Sequence, residues 1–253
     1  LNLTPAYGST VEFQANNHSY ITDDFYYNLI PLSVNSLVAR FSLKYEVNET
    51  NARKLANFFE AQSGYLPIGF TPDNSGIYKT VSGFCDNYAI NFINNQHFEV
   101  ATSLTVDHAP TLLKWSGMGC FPNLTFDDYN YSTSYEEYDI AYTGINQNKL
   151  DNFYYCTGDK NSFAQRIKTN DNIATFDMSY SFKNIPDKQL KTMIHFLENK
   201  GGYRRFRHQI PSIYNRPKVY YSPKWTHTWN YSNSNNLTVD LKEDPMGVIP
   251  TGT

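Results

Sequence analysis

Two segments of the chain alternate apolar and polar side chains with the two-residue period of a half-buried β-strand. Residues 39–47 place Phe41, Leu43, Tyr45 and Val47 on one face, and residues 174–182 place Phe176, Met178, Tyr180 and Phe182 on one face. Matching positions are 135 residues apart, as Phe41 and Phe176 are. This recurrence of inward side chains predicts a structural unit that is used twice.

After each strand the apolar spacing changes to that of an amphipathic helix. Residues 49–60 place Ala52, Leu55, Phe58 and Phe59 on one helical face, and residues 187–198 place Leu190, Met193, Ile194 and Leu197 there. Thr50 and the Pro186-Asp187 pair are typical of helix N-termini. Each repeat is therefore predicted to contain a strand followed by one short helix.

The ends of both predicted helices share a pattern. Residues 58–68 read FFEAQSGYLPI, and residues 196–206 read FLENKGGYRRF. The residues that define the repeat here are Gly64, Tyr65, Gly201, Gly202 and Tyr203. Glycine just past a helix adopts the left-handed conformation that ends it, whereas a phosphate-binding turn comes before a helix, at the positive end of its dipole. The glycines are therefore predicted to be architectural.

Each repeat then continues into strand-like, aromatic-rich segments. Residues 81–90 lead to residues 94–102, and residues 218–225 lead to residues 235–241. An Asn-Asn pair stands at the start of each closing segment and predicts a turn there. Strand, helix, hairpin and closing strand, used twice, predict an α+β fold.

The repeat divides the chain into two predicted domains, residues 1–109 and residues 153–253. Between them, residues 110–152 contain glycines, prolines and acidic residues. This composition favours a linker or an exposed arm. Each domain is then roughly 100 residues long, which is a typical domain size.

Composition favours a surface that serves partner contacts. The 253 residues carry a formal net charge of −3, 18% are charged, and 16% are aromatic, including 21 tyrosines. Low charge argues against coating nucleic acid, because counterion release requires concentrated basic groups, while tyrosine supplies contact area at low entropic cost. Three cysteines without CxxC spacing predict reduced thiols. The sequence shows neither an apolar run of ~20 residues nor the features of a signal peptide.

Residue patterns predict no enzymatic activity, no metal site and no cofactor. The histidines His195, His208 and His227 lack metal-ligand spacing, and the acidic residues Asp127, Asp128, Glu136, Glu137 and Asp139 lack the spacing of a calcium loop. Phosphate-binding, dinucleotide-binding and nucleophile-elbow motifs do not occur. Cys85 beside Asp86 would act as a nucleophile only if the fold supplied a base, so a half-buried core thiol is predicted.

Two further groups of residues are candidates for contacts. Arg204, Arg205 and Arg207 follow the second glycine turn and have no counterpart after the first. They are predicted to meet carboxylates of a neighbouring subunit. Trp225, Trp229, Tyr220 and Tyr221 form the densest aromatic cluster. We predict that this cluster fills one face of a sheet, and stacking on sugars or bases is the alternative.

The second repeat resembles the minor tail protein and distal tail family of long-tailed bacteriophages. Residues 161–167 lead to the strand at residues 173–182, the helix ends in FLENKGGYRRF, and residues 219–225 and 237–244 complete the order. That family has a strand, a helix ending in two glycines, an aromatic strand with a tryptophan, and a last strand ending in acidic residues. The resemblance covers residues 153–244 and, more weakly, residues 38–107. The family's Gly-Asp-Gly-Tyr ahead of Gln-Arg is missing here.

The resemblance implies two tandem tail-tube-like domains, each an antiparallel β-sandwich or barrel with one short flanking helix. It implies a structural role in a virion, in the tube, the tube-to-tip junction or the baseplate, after assembly in the host cytoplasm. Partners would be other tail or baseplate proteins and further copies of the chain, three in a pseudo-hexameric ring or six. DNA would cross the lumen without specific binding. The alternative function is a carbohydrate- or receptor-binding module of a virion tip.

Overall fold

The computed structural model describes residues 4–21, 27–32, 35–72, 77–94, 96–108, 121, 123–127, 135–150, 153–156, 165–168, 175–208 and 218–244. Its first half contains β1 (Thr10–Ala15), β2 (Asn17–Ile21), β3 (Tyr27–Pro31), β4 (Leu37–Val47), α1 (Glu49–Gln62), β5 (Ile68–Phe70), β6 (Val81–Asn94) and β7 (His97–His108). Then come β8 (Asn123–Asp127), β9 (Tyr135–Asp139), β10 (Gly144–Leu150), β11 (Phe153–Cys156), β12 (Gln165–Lys168), β13 (Thr175–Ile185), α2 (Asp187–Lys200), β14 (Phe206–His208), β15 (Lys218–Tyr231) and β16 (Ser234–Glu243). This part of the chain is mostly antiparallel sheet with two helices, an α+β fold rich in strands.

The two halves have the same strand order. In the first, β1 pairs with β4, β4 with β7, β7 with β6, and β6 with β5. In the second, β10 pairs with β13, β13 with β16, β16 with β15, and β15 with β14. The hairpins β2–β3 and β11–β12 occupy corresponding places, and one helix follows β4 and β13. The repeat predicted from the sequence is thus a repeat of strand order.

Both units share one sheet. Within the described residues ten strands join in the order β10-β13-β16-β15-β1-β4-β7-β6-β5, with β14 beside β15. The units meet where β1 of the first pairs with β15 of the second. The two units therefore do not form separate sheets. Backbone hydrogen bonds between β1 and β15 join them into one.

Part of the predicted linker belongs to this sheet. Gly144–Leu150 is β10, which pairs with β13 from Gly144↔Ser181 to Leu150↔Thr175. Strands β8 and β9 form a separate hairpin, and Phe121 is fully buried. The repeated strand order therefore starts before residue 153. The segment GINQNKL has only two large apolar side chains, so its periodicity gives no strand signal.

The predicted strand periodicity is confirmed. Buried and exposed positions alternate along β4, and Met178, Tyr180 and Phe182 on β13 are all buried. Phe176 lies in β13, but its side chain is outside the described part of the structure. These residues form the core together with both helices. The opposite face, called the polar face below, carries exposed side chains such as Arg40, Ser42 and Lys44 of β4.

Both helices occur where predicted, and they begin differently. The N-cap of α1 is Asn48, whose side chain accepts a hydrogen bond from the Asn51 N–H, so Thr50 lies inside the helix. Pro186 precedes α2 and supplies no side-chain cap. The Asn233 Oδ1 accepts from the Asp187 N–H instead, at 2.9 Å. The start of α2 therefore depends on a residue of the β15–β16 turn.

That turn is not where the sequence predicts it. Ser232 and Asn233 connect β15 to β16, and Asn233 has a φ of 55°. Asn235 and Asn236, the predicted turn, are in β16. Asn235 is buried, and its Nδ2 donates hydrogen bonds to Ile185 O and to Asp187 Oδ1. The prediction of a turn at this Asn-Asn pair was wrong, since the pair serves the core instead.

The helices differ in how much of their surface is covered. In α1, Ala52, Leu55 and Phe59 are buried as predicted, but Phe58 is 39% exposed. In α2 the buried residues are Leu190, Thr192, Met193, Ile194, His195, Phe196, Leu197 and Glu198. The Phe121 ring stacks on Phe196 with ring centroids 5.9 Å apart. Helix α2 is therefore enclosed on a second side, which the apolar period alone does not indicate. Neither helix is long and apolar enough to cross a membrane, within the described residues.

Candidate assembly interface

The junction between the two units is a pair of antiparallel strands. Register runs from Thr10↔Thr228 to Gln14↔Lys224. The pairing extends past β1, because Gly8 donates to Trp229 O at 2.7 Å and Trp229 donates to Ser9 O at 3.1 Å. A junction of this kind joins two different surfaces, the first strand of one unit and the fourth strand, in sheet order, of the other. It is therefore a head-to-tail contact.

Aromatic side chains fill the core side of this junction. Phe13 stacks on Trp225 with ring centroids 5.3 Å apart, and both side chains are buried. The Tyr78 ring stacks on Phe13 at 5.9 Å and lies 5.8 Å from the ring of His227. Such pairs contribute about 0.5–1.5 kcal/mol each beyond the area they bury. The two units consequently share one continuous core.

A buried histidine connects the units through hydrogen bonds. The Tyr78 hydroxyl lies 2.9 Å from His227 Nδ1, and His227 Nε2 lies 3.0 Å from Asn235 Oδ1. Asn235 Nδ2 in turn donates to Asp187 Oδ1 at 2.7 Å. This chain of bonds suits a neutral imidazole, which donates from one nitrogen and accepts at the other. Burial lowers the pKa of His227 to about 4.

The glycine turn after α2 is also part of the junction. Gly201 is the left-handed C-cap of α2, with a φ of 60°, as predicted. A Cβ on Gly201 would lie 2.6 Å from Ser36 Oγ, and one on Gly202 would lie 2.3 Å from the Cβ of Ala15. Both neighbours belong to the first unit. The turn therefore ends the helix and lets the two units approach, a second role that the sequence does not reveal.

Replacing Gly202 with alanine is expected to destabilise the protein. The change adds a clash with Ala15 to the cost of a positive φ of 77°. Gly8→Ala is the matched control, because Gly8 has a φ of 83° and open space around the added Cβ. Thermal and urea unfolding should show Gly202→Ala to be less stable than the control by about 1–3 kcal/mol. Equal stabilities would contradict the close approach of the units at Gly202.

The corresponding glycine turn of the first unit is not enclosed. Ser63 is the C-cap of α1 with a φ of 51°, and Gly64 follows with a φ of 73°. A Cβ on Gly64 would meet one atom at 3.4 Å, the carbonyl oxygen of Cys85. Tyr65 is 70% exposed, whereas Tyr203 is half-buried. The same local structure is thus buried in one unit and open in the other.

The three arginines lie in different surroundings. The Arg205 guanidinium pairs with the Asp244 carboxylate of the same chain, and the Asp244 side chain is fully buried. Arg204 is exposed and lies over the Tyr203 ring, 5.7 Å from its centroid. Arg207 is exposed on β14. Arg205 therefore has a carboxylate partner within its own chain, and the contacts predicted with a neighbouring subunit stay a prediction for Arg204 and Arg207.

The aromatic cluster lies largely in the core. Trp225, Tyr220 and Tyr221 are buried, and Trp229 is half-buried against Tyr78 and His227. Tyr220 and Trp225 belong to the hydrophobic core and Trp229 packs against it, so these three rings fill one face of the sheet as predicted, while Tyr221 is buried outside that core. Buried rings offer no face on which a sugar or a base could stack.

The other candidate groups form no recognisable reactive site among the described residues. The Cys85 thiol is buried, and its sulfur lies near Thr102 Oγ1 and Asn87 O, which are not bases. His195 Nε2 donates to Ile77 O at 3.3 Å, and His208 Nε2 lies 2.6 Å from the Tyr180 hydroxyl. Where side chains are described, no group of three or more potential metal ligands is found.

The acidic residues of the predicted arm lie mainly on one hairpin. Asp127 is in β8, and Glu136, Glu137 and Asp139 are in β9. Asp128 lies outside the described residues. One of the three cysteines, Cys120, also lies outside them. Among the described strands this hairpin forms a two-stranded sheet of its own, beside the ten-stranded sheet.

Two lysines on the polar face of the sheet lie close to carboxylates of neighbouring strands. Lys224 Nζ lies 2.9 Å from Glu12 Oε2, and Lys44 Nζ lies 3.7 Å from Glu99 Oε2. Burial raises the pKa of Asp177, and nearby Lys242 opposes that rise. Lysines that face neighbouring carboxylates are poor phosphate ligands, because an anion would compete with the acid already present.

Two sheet edges are left open in the described residues. Strand β5 pairs with β6 from Val81 to Gly83, and beyond Gly83 no described strand lies along the outer edge of β6. At the other end of the sheet, β10 pairs with β13, and no described strand lies on its other side. On β6 the exposed fractions are 40% for Ile90, 64% for Phe92 and 48% for Ile93. Long edges with exposed apolar side chains are typical sites of strand pairing between chains.

Comparison of the sequence with protein-family models, and with curated proteins, finds no match.

Proposed function

We propose that this protein is a structural subunit of a phage tail that assembles into a ring around the DNA-ejection channel. The observation that carries the proposal is the head-to-tail junction between β1 and β15. A head-to-tail contact between repeated units leaves one half of the contact open at each end of the pair. Such a chain can add further copies through the same kind of contact, and a ring is the closed outcome.

The order of elements supports the tail assignment. A strand, a helix ending at two left-handed residues, an aromatic strand and a closing strand occur in both units. This is the order on which the resemblance to minor tail and distal tail proteins rests. We therefore propose two tandem tube-like domains, a place in the tube, at the tube-to-tip junction or in the baseplate, and other tail proteins as neighbours.

A ring built this way would contain two units per chain. Three chains would give a pseudo-hexameric ring, and six chains could give two stacked rings. Strand edges that are hazardous on a free subunit are satisfied when a sheet closes. Closure therefore accounts for an exposed edge such as the Ile90 to Ile93 segment of β6.

The polar face of the sheet suits a surface past which DNA moves. Lys224 and Lys44 each face a carboxylate, so their charges are largely matched before DNA arrives. Smooth passage requires weak and non-specific contact, because strong binding to phosphates would hold the DNA in place. We propose that this face lines the lumen.

Size-exclusion chromatography with mass measurement, followed by negative-stain imaging, tests the proposal. Rings or tubes with three-fold or six-fold symmetry are the expected result. A stable monomer at every concentration would contradict it. Binding of that monomer to a glycan array would favour the alternative, a carbohydrate- or receptor-binding module.

A further inference from the structure

The strand pairings define which positions correspond in the two units. On β6 and β15, the fourth strands in the sheet order of the two units, Ile90 faces Val100 as Trp225 faces Val239, and both valines face a tyrosine on the next strand. Phe92 of β6 therefore corresponds to His227 of β15. The outer edge of β6 is the counterpart of the edge that β15 presents to β1.

A similar comparison relates β1 to β10. Val11 faces Phe41 in the first unit, and Lys149 faces Phe176 in the second. Phe41 and Phe176 are the matching positions of β4 and β13. Lys149 therefore corresponds to Val11, and Leu150 corresponds to Glu12. The outer edge of β10, along which no described strand lies, is the counterpart of the edge that β1 presents to β15.

Burial differs sharply between the two versions of the β15 edge. Trp225 is 1% exposed and His227 is fully buried, because β1 and Tyr78 cover them. Their counterparts Ile90 and Phe92 are 40% and 64% exposed. Covering the first unit's edge with a strand would remove these apolar side chains from water, which favours pairing.

We propose that the open edge of β6 pairs in antiparallel fashion with β10 of a second copy of this chain, in the register that places Phe92 opposite Lys149 and Asn91 opposite Leu150. The pair Val11↔His227 and the pair Glu12↔Thr226 set this register within the chain. The inference rests on the proposed ring and assigns the surfaces that close it. The partner is a second copy because the chain already makes this junction once with its own strands.

An engineered disulfide tests the register. Opposed residues of antiparallel strands have Cα atoms about 4.5–5.5 Å apart, within the span of a disulfide. A chain with Asn91→Cys and Leu150→Cys should form disulfide-linked dimers and larger species under mild oxidation, seen as a ladder of bands on a non-reducing gel. The matched control combines Asn91→Cys with Lys149→Cys, because adjacent positions of a strand lie on opposite faces of the sheet. Asn91→Cys alone measures the background from native thiols.

The same oxidation distinguishes a link between chains from one within a chain. Strands β10 and β6 lie near opposite ends of the described sheet, so their cysteines cannot meet within one open chain. Covalent dimers and larger species that vanish on reduction would support the proposal. An assembled protein that gives no more ladder with Leu150→Cys than with Lys149→Cys would overturn it.

A charge on the open edge provides a second test. Phe92→Lys should abolish assembly while leaving the fold intact, since the side chain is mostly exposed in the single chain. Tyr231→Lys is the matched control, because Tyr231 is 71% exposed at the β15–β16 hairpin and the strands β1, β4 and β7 separate that hairpin from β6. If wild-type protein stays monomeric, the proposed function fails. If wild type assembles and Phe92→Lys assembles equally well, the ring stands and this edge is not its interface.

Discussion

Replacing Arg205 with alanine is expected to lower the free energy of unfolding by about 3 kcal/mol, the scale for removing one partner of a buried ion pair. The Asp244 carboxylate is fully buried and accepts a hydrogen bond from Arg205 Nε. Without the guanidinium, the carboxylate loses the positive charge that offsets its desolvation. Urea unfolding at pH 7 measures this loss.

Arg204→Ala is the matched control for that experiment. Arg204 is exposed, and its contact with the Tyr203 ring is worth about 0.5–1 kcal/mol at such a site. The control should therefore unfold nearly as wild type does. If Arg205→Ala were as stable as Arg204→Ala, the pair with Asp244 would contribute nothing to the fold. Charge reversal at Arg204 then remains the test of a contact with a neighbouring subunit, since it changes the surface without touching the buried pair.

Acidification is expected to destabilise the protein between pH 6.5 and pH 4. Burial lowers the pKa values of His227 and His208 from 6.5 to about 4. Above pH 6.5 both imidazoles are neutral in the folded and the unfolded chain, and stability is at its full value. As pH falls below 6.5, the unfolded chain binds protons that the folded chain does not, so stability falls by up to about 1.4 kcal/mol per pH unit for each histidine. The decline levels off below the folded pKa.

Single substitutions separate the two histidines. His227→Gln and His208→Gln should each remove about half of the pH slope, measured as urea unfolding at pH 5 to 7. The quantity to compare is the difference in pH slope between each variant and wild type, because the contributions of titratable groups that all three proteins share cancel. Asp177 is one such group, since its raised pKa acts in the opposite direction. A slope that is the same in wild type and both variants would show that these histidines do not titrate on unfolding.

The sequence contains enough information for the second strand and the helix of each unit, but not for an edge strand such as β10. The alternation in β4 and β13 and the helical period of α1 and α2 come from burial of one face, which is a local property of the chain. The glycine turn after α2 has a local cause as well, because Gly201 must adopt a positive φ. These features depend on neighbours within a few residues, and they were predicted correctly.

The junction could not be predicted in this way. Tyr78 and His227 are 149 residues apart, and no period links them. Phe92 and His227 occupy corresponding positions but differ in residue type, so the repeat itself is hard to see there. Arg205 shows the same limit, since its partner Asp244 is the residue just after β16. Partners from distant elements decide which side chains are buried, and periodicity carries no information about them.

Pairing of β1 with β15 also determines the order in which the chain can fold during synthesis. Strand β1 is made first, and the strand that covers its second edge is made almost last. Until then Phe13 lacks the Trp225 ring on which it stacks in the finished protein. Contacts of such sequence separation form slowly, and a newly made edge stays open to wrong pairing meanwhile. A chain whose synthesis stops before residue 218 would lack β15. The outer edge of β1 would then be left uncovered, as the outer edge of β6 already is in the described residues.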